Sequence, residues 1–200
     1  MNDRARAKRM ATRLAWMFAM LVAAPLAQAH VVVGQMYGLA HGLAHPFTGM
    51  DHLVAMLAVG LWATQCGGRA LWLVPLSFVA AMSIGGAIGM SGVSLPFVEP
   101  GIAASVLVLG LLVAAAVRLP SLAGSVLVGA FALCHGIAHG AEMPANASGL
   151  AFGAGFVLST IALHGCGIAL GLLAKKLDRP RFVRYAGLGA AAFGLCLLIA

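Results

Sequence analysis

Six apolar stretches of helical length, at residues 47–64, 71–90, 96–117, 122–141, 149–174 and 182–200, leave this chain almost no freedom of architecture. A helix needs about 20 apolar residues to cross the ~30 Å hydrocarbon core of a bilayer. In hydrocarbon, backbone polar groups must be satisfied by helices or closed barrels, and runs without strand alternation suit helices. The breaks carry turn-forming residues: Gly67-Gly68-Arg69, Ser91-Gly92-Val93-Ser94-Leu95-Pro96, Arg118-Leu119-Pro120, Met143-Pro144-Ala145-Asn146 and the stretch from Lys175 to Arg181. With 62% hydrophobic and 8% charged residues among 200, the chain could not cover a water-facing surface. The expected fold class is all-α, a polytopic membrane protein of six transmembrane helices after an N-terminal signal peptide.

The signal is read in residues 1–29. Arg4, Arg6, Lys8, Arg9 and Arg13 precede an apolar run, and Pro25-Leu26-Ala27-Gln28-Ala29 ends in an A-x-A cleavage pattern. The run is short for a span, which argues against an uncleaved anchor helix. Cleavage after Ala29 removes five basic residues and one acid, takes the formal net charge from +7 to +3, and leaves residues 30–200 as one six-helix transporter-like domain without a soluble appendage. The remaining cations, Arg69, Arg118, Lys175, Lys176, Arg179, Arg181 and Arg184, all fall in or beside the loops after the first, third and fifth spans. That asymmetry places these loops in the cytoplasm and both mature termini outside, as expected for a multi-pass protein of a bacterial-type inner membrane. It also explains the basic pI without nucleic acid as a partner; the expected surroundings are membrane lipid.

Two polar constellations interrupt the apolar chain, His45-Pro46-Phe47-Thr48-Gly49-Met50-Asp51-His52 and His135-Gly136-Ile137-Ala138-His139-Gly140-Ala141-Glu142. Ionisable groups in a membrane segment cost roughly 2.5–3.5 kcal/mol each on insertion scales, so their concentration calls for a partner such as a divalent metal cation. On a helix, His139 and Glu142 lie about 40° and about −20° from His135, one stripe able to form half of a metal site. Pro46 suits the first turn of the first span, with His45 near its N-cap and Asp51 and His52 deeper. Asp51 can bind metal, cap a backbone group, or orient an imidazole. The two stripes fall on the same outer side, so a shared site is geometrically open to them.

Further candidate ligands are His41, ahead of the first span; His30, which would offer a free amine and an imidazole after cleavage; and His164, about 22 Å into the fifth span and nearer the cytoplasm. Met36, Met50, Met56 and Met143 read as packing, and Glu99 as a solvated acid. The cysteines Cys66, Cys134, Cys166 and Cys196 stand singly and read as buried small hydrophobes, with Cys134 a conceivable soft ligand beside His135. Glycine pairs at four-residue spacing, Gly85/Gly89, Gly136/Gly140, Gly149/Gly153 and Gly167/Gly171, predict close helix packing within the chain. Oligomeric state is not legible.

No Walker A loop, H-E-x-x-H motif or extramembrane catalytic domain is present in the sequence, so no enzyme is expected and any energy coupling falls to ion gradients. Metal binding to imidazole and carboxylate displaces protons, which makes proton linkage natural. An intramembrane zinc hydrolase is the alternative, since His/Asp clusters also activate water. A haem-binding electron carrier would need His pairs at two depths.

The H-P-x-x-G-x-D-H and H-G-x-A-H-G-x-E stretches, with Ala58-Val59-Gly60-Leu61-Trp62-Ala63 and Gly67-Gly68-Arg69-Ala70-Leu71-Trp72 between them, resemble the HupE/UreJ family of hydrogenase/urease accessory nickel permeases. The likeness covers essentially the whole mature chain. It implies a secondary transporter that imports nickel, or cobalt, as its transported substrate with no permanently bound cofactor, for hydrogenase or urease maturation. It also implies that His45, Asp51, His52, His135, His139 and Glu142 carry transport, with cytoplasmic nickel metallochaperones or apo-enzymes as the sink.

Overall fold

The computed structural model describes residues 35–93, 95–143 and 148–200, and these are helical throughout apart from their turns. The elements are α1 (Gln35–Ala44), a 3₁₀ turn (His45–Phe47), α2 (Met50–Cys66), α3 (Ala70–Met90), α4 (Val98–Ala115), α5 (Ser121–Ala141), α6 (Gly149–Lys176) and α7 (Pro180–Ile199). The signal segment and His30 lie outside the described residues.

Five helices, α3 to α7, are long and apolar enough to cross a membrane, and they match the second to sixth expected stretches closely. Their outer faces remain apolar: Leu122, Val126, Leu150, Ile161, Phe182 and Leu188 are all more than half exposed. Such a surface suits lipid, not water.

The first expected span differs. At 17 residues α2 falls short of the ~30 Å core, and Pro46 does not open it; Pro46 sits in the 3₁₀ turn, and Gly49, extended at φ −109°, is the N-cap. The unexpected α1 supplies the missing length, the two helices being bent by 79° at the break. Both segments run in the same direction as the 28-residue α6, with Gly42 on the Phe152 backbone and Gly60 on the His164 and Ile168 backbone further along. Counted together as one broken span they bring the number of spans from five to six; such a break is tolerated at membrane depth when the irregular backbone is covered by protein. Helix α2 is central: Ala55, Met56, Val59, Trp62 and Ala63 are fully buried.

Glycine sets the spacing elsewhere. Gly85 and Gly89 of α3 face the α5 backbone at Leu133 and Ile137, while Gly136 and Gly140 face the α3 backbone at Met82 and Gly86, so the two helices mesh in parallel. On α6, Gly167 faces the α2 backbone at Leu57 and Gly60 and Gly171 faces the Thr64 side chain, whereas Gly153 has open space beside it. At the other end of the bundle the irregular close of α4, with Ala116 left-handed, is held by side chains: Trp62 Nε1 and Gln65 Nε2 donate to the carbonyls of Val117 and Val113, and Arg184 Nε to that of Ala114. There the loops after α2, α4 and α6 meet around a cavity of about 330 Å³ bordered by Arg118, Lys175 and Arg184. The cysteines form no disulfide, but none is fully buried and Cys196 is exposed. Cys134 Sγ lies against Gly101 of α4, and Cys134 belongs to neither group of potential metal ligands, which leaves its case as a soft ligand without support.

Candidate metal centre

The second motif keeps its predicted stripe. His135 and His139 stand one turn apart near the end of α5, and Glu142 is the C-cap. The first motif reaches them by a different route from the one its spacing suggests, because the chain breaks between His45 and His52. Thr48 closes that break, donating its hydroxyl and its backbone N–H to the His45 carbonyl at 2.7 and 3.0 Å. A Cβ on Gly49 would lie 2.7 Å from both Asp51 Oδ1 and His52 Cδ2, so glycine is needed for the turn to close over the two side chains.

Two groups result, and His139 belongs to both. His52, His135 and His139 bring ligand atoms within 4.8 Å of one another, and all three are buried. His52 Nδ1 is 2.8 Å from His135 Nδ1 and 3.0 Å from His139 Nε2. The second group is His45, His139 and Glu142, nearer the surface. His45 Nε2 lies 3.0 Å, and His139 Nδ1 3.6 Å, from the same oxygen, Glu142 Oε2. His139 thus turns one ring nitrogen toward the half-exposed carboxylate and the other toward the buried imidazoles.

Hydrogen bonding fixes which nitrogens are bare. Ser105 of α4, itself fully buried, has its hydroxyl 2.6 Å from the Ile102 carbonyl and 2.8 Å from His135 Nε2. A hydroxyl has one hydrogen, and the carbonyl can only accept, so Ser105 donates to Ile102 and accepts from His135 Nε2–H. His135 Nδ1 is then a lone pair aimed at His52. A single proton on His52 Nδ1, shared between His135 Nδ1 and His139 Nε2, accounts for both short contacts, and a divalent cation at that point would displace it. Ser105→Ala is expected to weaken cobalt or nickel binding by about 10- to 100-fold, the range for an outer-shell partner, and Ser105→Thr to restore it. Chelator competition on the purified protein checks this; unchanged affinity in the alanine variant would refute the assignment.

The carboxylates stand behind the imidazoles. The imidazoles of His139 and His45 hold the Glu142 carboxyl down at about 2, although partial burial opposes ionisation. Glu142 is therefore an anion at any physiological pH, fit to attract a cation and to orient His139. Asp51 joins neither group. Its Oδ1 accepts the His52 backbone N–H at 2.8 Å and lies 3.8 Å from His52 Nε2, the ring nitrogen that faces away from the cluster. Of its three possible roles, this geometry supports capping and orientation ahead of direct ligation.

His41 on α1 stacks on His45 with ring centroids 5.9 Å apart, placing it beside the outer group. His164 is in neither group. Two residues were not singled out by the sequence pattern: Ser105, a hydroxyl in the middle of an apolar span, and Phe78, whose ring touches His135; Glu99 is exposed, as expected of a solvated acid, and borders a cavity of about 210 Å³ together with Asp51. An isolated hydroxyl inside an apolar stretch was the available signal for Ser105. Met56 is core, as expected for packing.

A family model described as HupE / UreJ protein matches residues 18–197. A curated relative, Protein HupE of Rhizobium leguminosarum bv. viciae, is 43% identical over 174 residues, covering 87% of this chain and 91% of that protein. No solved structure matches the chain.

Proposed function

The chain belongs to the HupE/UreJ family, and from that premise we propose that it is a secondary transporter importing nickel, or cobalt, across the inner membrane to supply hydrogenase or urease maturation. The observation that carries the reading is the convergence of His52, His135 and His139 in a buried cluster that continues through His139 into a half-exposed group ending at Glu142. Neutral imidazoles with carboxylates behind them suit a borderline divalent cation. Capture begins at His45 and Glu142, where the anion attracts the hydrated ion and can exchange with its waters. Transfer inward needs only that the ion move from the Nδ1 side to the Nε2 side of His139, where His52 and His135 replace the remaining waters. The displaced protons make proton exchange the natural coupling.

The orientation that fits has both mature termini outside, the metal cluster at the outer end, and the cavity bordered by Arg118, Lys175 and Arg184 at the cytoplasmic end. A metallochaperone or apo-enzyme binding the ion tightly would keep the gradient inward. The test is accumulation of radioactive nickel by cells expressing the intact chain, beside His52→Ala, with cobalt and zinc as competitors. Uptake that depends on His52 and yields to cobalt is expected. Full membrane expression without uptake would overturn the reading.

A further inference from the structure

From the geometry around His164 we infer that its imidazole is a second, inner metal station, separate from the histidine cluster and reached from it past the ring of Phe78. The inference rests on the transport reading for its purpose, though not for its geometry.

His164 is 2% exposed, and neither ring nitrogen has a hydrogen-bond partner among the described residues. Ser105 and Thr160 donate to carbonyls of their own helices, and Ser159 to the Leu43 carbonyl across the bundle; Gln65 Oε1, Ser125 Oγ and His139 Nδ1 also lack a partner among the described residues, but His164 is the imidazole there with both nitrogens bare. A neutral imidazole carries one donor and one acceptor, and leaving both unmade inside a membrane protein is costly. Simple packing would be served as well by leucine. An imidazole with its lone pair unengaged is what a passing cation requires.

Its position fits that use. His164 lies fifteen residues into α6, about 22 Å along the helix axis from its start and well past the level of the cluster. The Phe78 ring stands perpendicular to His164, centroids 5.0 Å apart, and also lies 5.6 Å from the His135 ring. One aromatic side chain therefore touches both the innermost imidazole of the cluster and His164. One turn along α3 is Met82 and one turn back along α6 is Thr160, whose hydroxyl is 3.7 Å from the Met82 sulfur. Met82 in turn borders a cavity of about 280 Å³ shared with His139. Imidazole, sulfur and hydroxyl thus lie in sequence between α3 and α6, while a bare divalent ion in hydrocarbon has no stabilisation at all.

The experiment uses the full chain, purified in detergent, with cobalt as the spectroscopic probe and nickel for uptake by cells. His164→Cys should add a sulfur-to-cobalt charge-transfer band in the near ultraviolet relative to wild type, because a thiolate at this position enters the coordination sphere. The visible ligand-field bands of the histidine cluster, unchanged in the same sample, report that the variant is folded. His164→Leu should keep cobalt affinity at the cluster while lowering nickel uptake by about 10- to 100-fold. Wild-type uptake by His164→Leu, or no new band in His164→Cys with the cluster loaded, would overturn the inner station. A new band in a protein that moves no nickel would instead refute transport and leave the second site standing.

Discussion

His139→Ala is expected to abolish both metal binding and uptake at micromolar nickel, with a larger loss than any other single ligand substitution. His139 is the one residue in both candidate groups, its Nε2 3.0 Å from His52 Nδ1 and its Nδ1 3.6 Å from Glu142 Oε2. Removing it takes one of three nitrogens from the buried cluster and disconnects that cluster from the half-exposed carboxylate. The loss should exceed the 10- to 100-fold of an outer-shell change, so more than about 100-fold in affinity. His45→Ala leaves the buried cluster intact and should mainly raise the nickel concentration needed for half-maximal uptake. Paired isotope uptake and cobalt titration, with membrane expression measured by immunoblot, distinguish these outcomes. Uptake by His139→Ala within about twofold of wild type would end the two-group arrangement.

Much of this was legible because membrane helices advertise themselves locally. Five expected spans were found within a few residues of their predicted ends, and the stripe His135, His139, Glu142 followed from helical periodicity alone. The broken first span was hidden. Its Gly38-Leu39-Ala40-His41 segment is small and polar enough to pass for a loop, and only packing of Gly42 and Leu43 against α6 makes it a helix. The first motif was expected to run on from Pro46 as one helix, yet a 79° bend falls between His45 and His52, which take places in different groups with His139 common to both. Phe78 was invisible for a different reason, and Ser105 stood out only as an isolated hydroxyl: their importance lies in what they touch across helices, and a sequence without tertiary contacts carries no mark of that.

The helix contact that holds the cluster makes the second large prediction, one in which no ligand is altered. Gly85→Val is expected to destroy cobalt binding by displacing α5. A Cβ at Gly85 would lie 2.5 Å from the Leu133 carbonyl oxygen and 3.1 Å from Gly136 Cα and Ile137 N, and all of these are backbone atoms. Ordinary overpacking in a core costs about 1–3 kcal/mol because side chains yield; here the helices themselves must separate, so the cost should reach or exceed the top of that range. His135 and His139 ride on the same turns of α5 that Gly85 and Gly89 contact, so separation carries two imidazoles away from His52. Gly153→Ala, facing open space on α6, is the matched control and should bind and transport as wild type. Chelator competition and detergent melting of both variants decide the matter. Full binding by Gly85→Val would mean that the α3–α5 mesh does not position the site, and that the imidazoles find the cation through their own flexibility instead of through the placement of their helix.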